Sequence, residues 1–257
     1  MLPKDEQEIQ RLDMQHHILK KVLKANYLAP LQKSRVSTIL EVGSGTGIWM
    51  KEIAEEIPTT RVDGFDLDEP IIQLNSHCSW TRGNLLDGLP YEENSFDFVH
   101  QRLLVLGVPR AHWPQVIREL VRVTRPGGWI ELVECDLRFS PSGTYTRDFI
   151  SWLVQASQQR GLDISIGIQT KSLLEAAGLV SVEEQKEDIP LGDWGGHVGT
   201  LLLRDFSAAA EKTIKPLITS SLHIDPVIYD FTIKQWKREC ELYHETCRFT
   251  IAYAQKR

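Results

Sequence analysis

The chain has 257 residues, 42% hydrophobic and 25% charged, a composition ordinary for a soluble globular protein and long enough for one large α/β unit with an appendage. Its net charge of −6 leaves no basic footprint for nucleic acid. No run approaches the roughly 18 apolar residues of a membrane-spanning helix, the first residues are polar and acidic where a signal peptide would be basic then apolar, and Cys78, Cys135, Cys240 and Cys247 form no CxxC pair, so a cytoplasmic protein with free thiols and no membrane partner is expected.

The first predicted element is a helix over 5–25, where Ile9, Leu12, His16, Leu19 and Leu23 recur on one side. From 36 to 135 strand and helix alternate, the pattern of a parallel sheet with crossover helices. Strands are predicted over 37–42, 61–66, 78–82, 95–101 and 128–135, with helices beginning near 46, 69 and 110. Pro114 falls in the first turn of the last of these, and Arg125-Pro126-Gly127-Gly128 turns the chain into the fifth strand. Beyond Cys135 the spacing predicts helices over 145–160 and 169–177, then a strand over 179–189. A helix over about 197–214, stopped near Pro216, and another over 226–245 precede the final strand at 247–254. The stretch between the last two strands is too long for a loop and reads as a helical cap over the carboxyl ends of the strands, joined by the first helix and by 145–160.

The most selective motif is Glu41-Val42-Gly43-Ser44-Gly45-Thr46-Gly47-Ile48, in which an apolar strand ends in an acid and runs into a glycine turn that opens a helix. Such a turn offers close backbone approach and free N–H groups to a nucleotide-like ligand. Ile48 stands where a dinucleotide fingerprint wants its last glycine, which points away from NAD and toward S-adenosylmethionine. Glu41 suits an ammonium or a cationic sulfonium. About twenty residues on, Asp66 ends the second strand, where a carboxylate accepts both ribose hydroxyls; Asp68 reads as the N-cap of the helix to follow. After the third strand, Asn84 has the donors and acceptors for an adenine edge and Leu85 can pack on the ring, with Asp87 a competing adenine contact.

Taken in order, Glu-Val-Gly-Ser-Gly-Thr-Gly (41–47), Gly-Phe-Asp (64–66), Gly-Leu-Pro-Tyr with Asn-Ser-Phe-Asp (88–97) and Arg-Pro-Gly-Gly-Trp (125–129) resemble the class I S-adenosylmethionine-dependent methyltransferases. The resemblance covers about 36–135. The flanks Arg11–His17, Val99–Leu104 and Pro190–Gly199 are similar to the small-molecule methyltransferases of fungal and microbial secondary metabolism. It implies a doubly wound, mostly parallel seven-stranded sheet, Rossmann-like, with S-adenosylmethionine bound at the first two strands. The expected layout is one methyltransferase domain over 1–257: an N-terminal helical cap at 1–30, a cofactor-binding core at 31–140, and core completion at 141–257 with the substrate cap at about 190–246. The implied cofactor residues are Glu41, Gly43, Ser44, Gly45, Asp66, Leu67, Asn84, Leu85 and Gln101. One departure stands out: many such enzymes carry Asp after the glycine of the third strand, and here Gly83 is followed by Asn84.

Methyl transfer is an in-line displacement that positioning and dehydration can accelerate without a dedicated base. Where a base is used, His16 and His100 are the candidates. His16 is either a satisfied buried histidine or faces the cofactor pocket; His100 ends the fourth strand. Glu134 and Asp136 flank the end of the fifth strand, on the acceptor side. Tyr27, Trp152 and Trp194 supply either core or stacking surface for a small organic acceptor, Gly195 and Gly196 suggest a hinge or a close backbone approach beside Trp194, and Trp236 with Arg238 reads as outer cap. No His and carboxylate cluster at ligand spacing is visible, and a monomer or homodimer is expected. The alternatives are an S-adenosylmethionine-binding rearrangement or cyclisation enzyme and a non-catalytic regulator on the same fold.

Overall fold

Apolar runs punctuated by glycine, proline and acids become strands throughout the chain, and the computed structural model, which describes residues 6–257, contains all seven expected from sequence. They are β1 (Thr38–Val42), β2 (Arg61–Asp66), β3 (Cys78–Arg82), β4 (Phe96–Arg102), β5 (Thr124–Ser140), β6 (Val180–Pro190) and β7 (Thr246–Gln255). They form one sheet in the order β3-β2-β1-β4-β5-β7-β6, parallel except for β7, which runs antiparallel to both neighbours. The chain winds outward from β1 through β2 to β3, then returns to β4 on the other side. This reversal between β1 and β4 is where an open α/β sheet leaves a crevice for a ligand.

The helices are α1 (Glu6–Leu23), α2 (Ile48–Glu56), α3 (Trp113–Val123), α4 (Thr144–Gln159), α5 (Thr170–Ala176), α6 (Gly196–Ala209), α7 (Lys215–Leu222) and α8 (Pro226–Leu242). The start of the expected first helix at residue 5 lies outside the described residues. One expected helix is absent: no helix connects β2 to β3, where residues 67–77 are bends and turns. Pro70, the β-branched Ile71 and Ile72, and the turn formers Asn75 and Ser76 leave too few good helix residues to nucleate one. Asp68 therefore caps no helix, and its N–H donates to Asp66 Oδ1 (3.2 Å). Pro216 does not end a helix either. It lies in the first turn of α7, and the chain passes from α6 to α7 through a π-helical turn, Ala210–Ile214.

The far, amino-end edge of the sheet is tied by two motifs of the methyltransferase-like pattern. Asp97 accepts the N–H groups of Ser37 (2.7 Å) and Thr38 (2.9 Å) and pairs with Arg125 Nη1 (2.7 Å), linking β1, β4 and β5. At the opposite edge, α1 packs on α6, α4 on α7 and α8, and α6 on α8, which makes the expected cap. Its seams are partly ionic. The Arg11 fork spans Glu8 (2.7 Å) and Asp205 (2.8 Å), all three buried, so the first half of α1 buries charge where the sequence suggested an apolar stripe. The start of α4 has its own carboxylates: Gly143 N–H donates to Glu245, and those of Tyr145 and Thr146 to Glu239. Inside, Trp236 is fully buried between Phe139 and Phe149, so it belongs to the interior of the cap and not its outside.

Candidate active site

At the carboxyl end of β1 the glycine turn takes the expected form, with Gly43, Gly45 and Gly47 all at positive φ. The turn hangs on β2: Gly43 N–H donates to Phe65 O (2.8 Å) and Gly45 N–H to Asp66 Oδ2 (2.8 Å). Gly43 also leaves no room for a side chain, because a Cβ there would stand 2.8 Å from Leu104 Cδ2. Leu104 is held by the far end of β5, where Glu134 accepts the N–H groups of Leu104 (3.0 Å) and Val105 (3.2 Å). This use of Glu134 was not legible in sequence. It gives the carboxylate an anchoring task in place of an acceptor-side one, and burial pushes its pKa up to about 8.

Three buried side chains around the crevice are under-satisfied. The Ser44 hydroxyl and the Gln101 amide oxygen meet no partner, the Gln101 amide N–H reaches only toward Glu134, and Glu41 has only the Met50 N–H nearby as a hydrogen-bond donor, on adjacent strand ends where Val42 pairs with Gln101. Burial pushes Glu41 up to about 8, opposed by Arg102, whose Nε lies 3.9 Å away. Native interiors rarely leave so many polar atoms unmatched, and such a cluster calls for a polar ligand. On the β2–β3 side, Asp66 retains lone pairs beyond the two it uses on Gly45 and Asp68. Leu67 is exposed beside it, and Asn84 Oδ1 is turned onto the N–H of Leu86 (3.1 Å), leaving the amide N–H₂ free. Leu85 is buried, and Asp87 is exposed.

The two histidines have other partners. His16 Nε2 lies 2.9 Å from Glu52 Oε2 and Nδ1 lies 3.0 Å from Arg102 Nη1, so both ring nitrogens are engaged. Burial, then Arg102, pushes its pKa down to about 4, which keeps it neutral. His100 is buried flat against Trp49 (ring centroids 4.1 Å) with Glu131 3.8 Å away, in the layer between sheet and α2. His16 has no nitrogen left for an acceptor, whereas His100 Nδ1 has no hydrogen-bond partner and is held in the layer against Trp49. Sequence reasoning quoted Arg102 without a role; it is the guanidinium between Glu41 and His16.

The aromatic candidates also scatter. Tyr27 packs on Phe98 beside α2 (ring centroids 5.6 Å), Trp152 on Tyr229 within the cap (6.4 Å), and Trp194 on His244 (4.8 Å) with its Nε1–H donated to Leu191 O. Asp136 is buried and accepts the Thr250 hydroxyl (2.9 Å). Contrary to the expectation of no metal-like cluster, His16 and His17 of α1 meet Glu52 of α2 closely enough to share an ion. Lys20 Nζ on Glu52 (2.6 Å) and Arg102 on His16 surround that group with cations, which opposes a metal there.

Residues 39–128 match the family model described as a methyltransferase domain. With the seven-stranded order and the glycine turn at its reversal point, the chain is a class I S-adenosylmethionine-dependent methyltransferase. Among curated relatives, it is 29% identical to Methyltransferase pytC of Aspergillus terreus over 87% of this chain and 72% of that protein. It is 31% identical to the Secondary metabolism regulator laeA of Aspergillus niger over 75% of this chain and 53% of that protein. Among solved structures, phosphoethanolamine N-methyltransferase 2 of Haemonchus contortus, in complex with phosphomonomethylethanolamine and S-adenosylhomocysteine, superposes with a TM-score of 0.57 at 16% identity, covering 96% of this chain and 52% of that one. The chain thus spans about half the length of the regulator and of the Haemonchus enzyme.

The methionine end of S-adenosylmethionine carries an ammonium and a carboxylate. The under-satisfied atoms fit both: Glu41 and Gln101 Oε1 as acceptors, Gln101 Nε2 and the Ser44 hydroxyl as donors. No helix among the described residues is long and apolar enough to cross a membrane.

Proposed function

We propose that the chain methylates oxygen, nitrogen or carbon of a small organic molecule of secondary metabolism. The observation that carries this is the group of under-satisfied polar atoms on Glu41, Ser44 and Gln101 at the reversal of the sheet, roofed by a helical cap. When bound, S-adenosylmethionine supplies an electrophilic methyl on a cationic sulfur. Glu41, Ser44 and Gln101 bind the methionine end; Asp66 takes the ribose, and Leu67, Asn84 and Leu85 line the adenine side. Arg102 orients Glu41, and Leu104 excludes water beside the turn. With His16 engaged through both ring nitrogens and His100 buried flat against Trp49, the acceleration comes from positioning and desolvation. The description of laeA as a secondary metabolism regulator supports the metabolic setting. The contacts of α1 with α6 and of β6 with β7 support one working unit, the four free thiols support a cytoplasmic setting, and the acidic net charge supports a partner other than nucleic acid.

The test is mass spectrometry of acceptor panels incubated with the chain and S-adenosylmethionine. Products heavier by one CH₂, with S-adenosylhomocysteine formed alongside, are expected. Cofactor binding with no methylated product on any panel would favour the regulatory reading that the laeA relative suggests. Rearranged products of unchanged mass would favour the cyclisation reading.

Glu41 adds a pH signature. Its folded pKa of about 8 lies above the ordinary carboxylate value, so the free protein holds Glu41 mostly protonated at neutrality. A cationic ammonium selects the ionised form. Affinity for S-adenosylhomocysteine is therefore expected to rise from pH 6 toward the Glu41 pKa of about 8, with a proton released on binding, and Glu41→Gln should flatten the profile. Calorimetry in buffers of different ionisation enthalpy reads the proton directly; a flat wild-type profile would remove Glu41 from the role.

A further inference from the structure

The cofactor cradle leaves the β5–β7–β6 edge of the sheet unexplained. The pairing of β4 with β5 ends at Arg102 and Val133, but β5 continues to Ser140 beside the start of β7 and the end of β6. Between this ribbon and the first turns of α4 lies a cavity of about 650 Å³. That volume is in the range of small-molecule sites.

Its walls are basic although the chain is acidic. Arg138, Arg147 and Arg248 line it against a single carboxylate, Asp188. Asp188 is committed to Arg248 through two bonds of 2.7 and 2.8 Å. Arg147 spends Nη1 on Ser142 O (2.7 Å) and Nη2 on Thr144 Oγ1 (3.3 Å); Arg138 makes no hydrogen bond or ion pair among the described residues, though its charge and that of Arg248 act on the buried Asp136 behind the wall. Arg138 is placed by a bulge: the register of β5 on β7 shifts between Cys135 and Phe139, with Leu137 at φ +48. Bulges of this kind re-aim a side chain beside a site. Leu137, Phe139 and Ile150 give the cavity an apolar floor, and Ser140 and Ser151 add hydroxyls, while the Thr246 hydroxyl is donated to Ser140 O (3.1 Å). The first N–H groups of α4 are already taken by Glu239 and Glu245, so the guanidinium groups alone supply the positive charge.

We propose that this cavity is a binding site, separate from the cofactor cradle, for a small molecule that carries a carboxylate or phosphate on a compact apolar body. Guanidinium forks and hydroxyl donors around an apolar floor recognise that combination and reject its neutral counterpart.

Phenyl phosphate is the probe and benzyl alcohol its neutral counterpart, each titrated calorimetrically into the full chain with and without S-adenosylhomocysteine. Phenyl phosphate is expected to bind one site in both conditions, and benzyl alcohol to show no heat. The double variant Arg138→Gln with Arg147→Gln should weaken phenyl phosphate by about tenfold or more. Asp188→Asn, which releases Arg248, should tighten it several-fold, a gain that damage to the fold cannot produce. S-adenosylhomocysteine titrated into each variant should stay within about twofold of wild type, which reports an intact fold and an independent cradle. Four outcomes would overturn the site: no binding by the wild type, equal binding of the alcohol, affinity unchanged in the double variant, or displacement of the probe by S-adenosylhomocysteine.

Discussion

Asp66→Ala is expected to weaken S-adenosylhomocysteine binding by about 1–3 kcal/mol, roughly 5- to 150-fold, as read by calorimetry. Two losses add. The carboxylate oxygens hold the glycine turn through Gly45 (2.8 Å) and the start of the next loop through Asp68 (3.2 Å), and their remaining lone pairs face the ribose position. Asp66→Asn keeps one acceptor oxygen and should fall between the two. Wild-type affinity in Asp66→Ala would take the residue out of the site.

Trp236→Ala is expected to cost about 3–5 kcal/mol of stability, because it opens a large cavity where side chains from β5, α4 and α8 meet. At 2–4 °C per kcal/mol for a domain of this size, the melting temperature should fall by roughly 6–20 °C. Trp236→Phe should cost far less, since the indole Nε1–H has no hydrogen-bond partner to lose. A melting temperature unmoved by the alanine variant would mean that the cap does not unfold together with the sheet.

Much of this architecture is legible in the sequence because its signals are local. β1 and the Trp129–Val133 part of β5 are short apolar runs bounded by glycine or an acid, and the spacing from Gly43 to Asp66 follows from one strand, one helix and one turn. What escaped reading depends on which side of an element a residue faces. His100 and Tyr27 lie near the right strands in sequence, yet pleating and packing direct them against Trp49 and Phe98 on the α2 side of the sheet. Glu134 and Arg102 gained their roles from contacts thirty or more residues apart in sequence, which no periodicity reports. The absent helix after Asp66 is a different failure. The alternation of strand and helix on either side predicts one there, while Pro70 and the residues after it favour turns.

The position of β7 sets an order on how the molecule can form. β6 hydrogen-bonds to the sheet through β7 alone, and β7 follows the whole of 191–245. On a ribosome, the strands from β3 to β5 can assemble as they emerge, while β6 must wait with neither edge paired until the cap helices and β7 have been made. The cap is thus synthesised before the sheet can close, so its helices must associate or be shielded by chaperones during that interval. Defects in the cap should therefore appear first as poor yield of newly made protein.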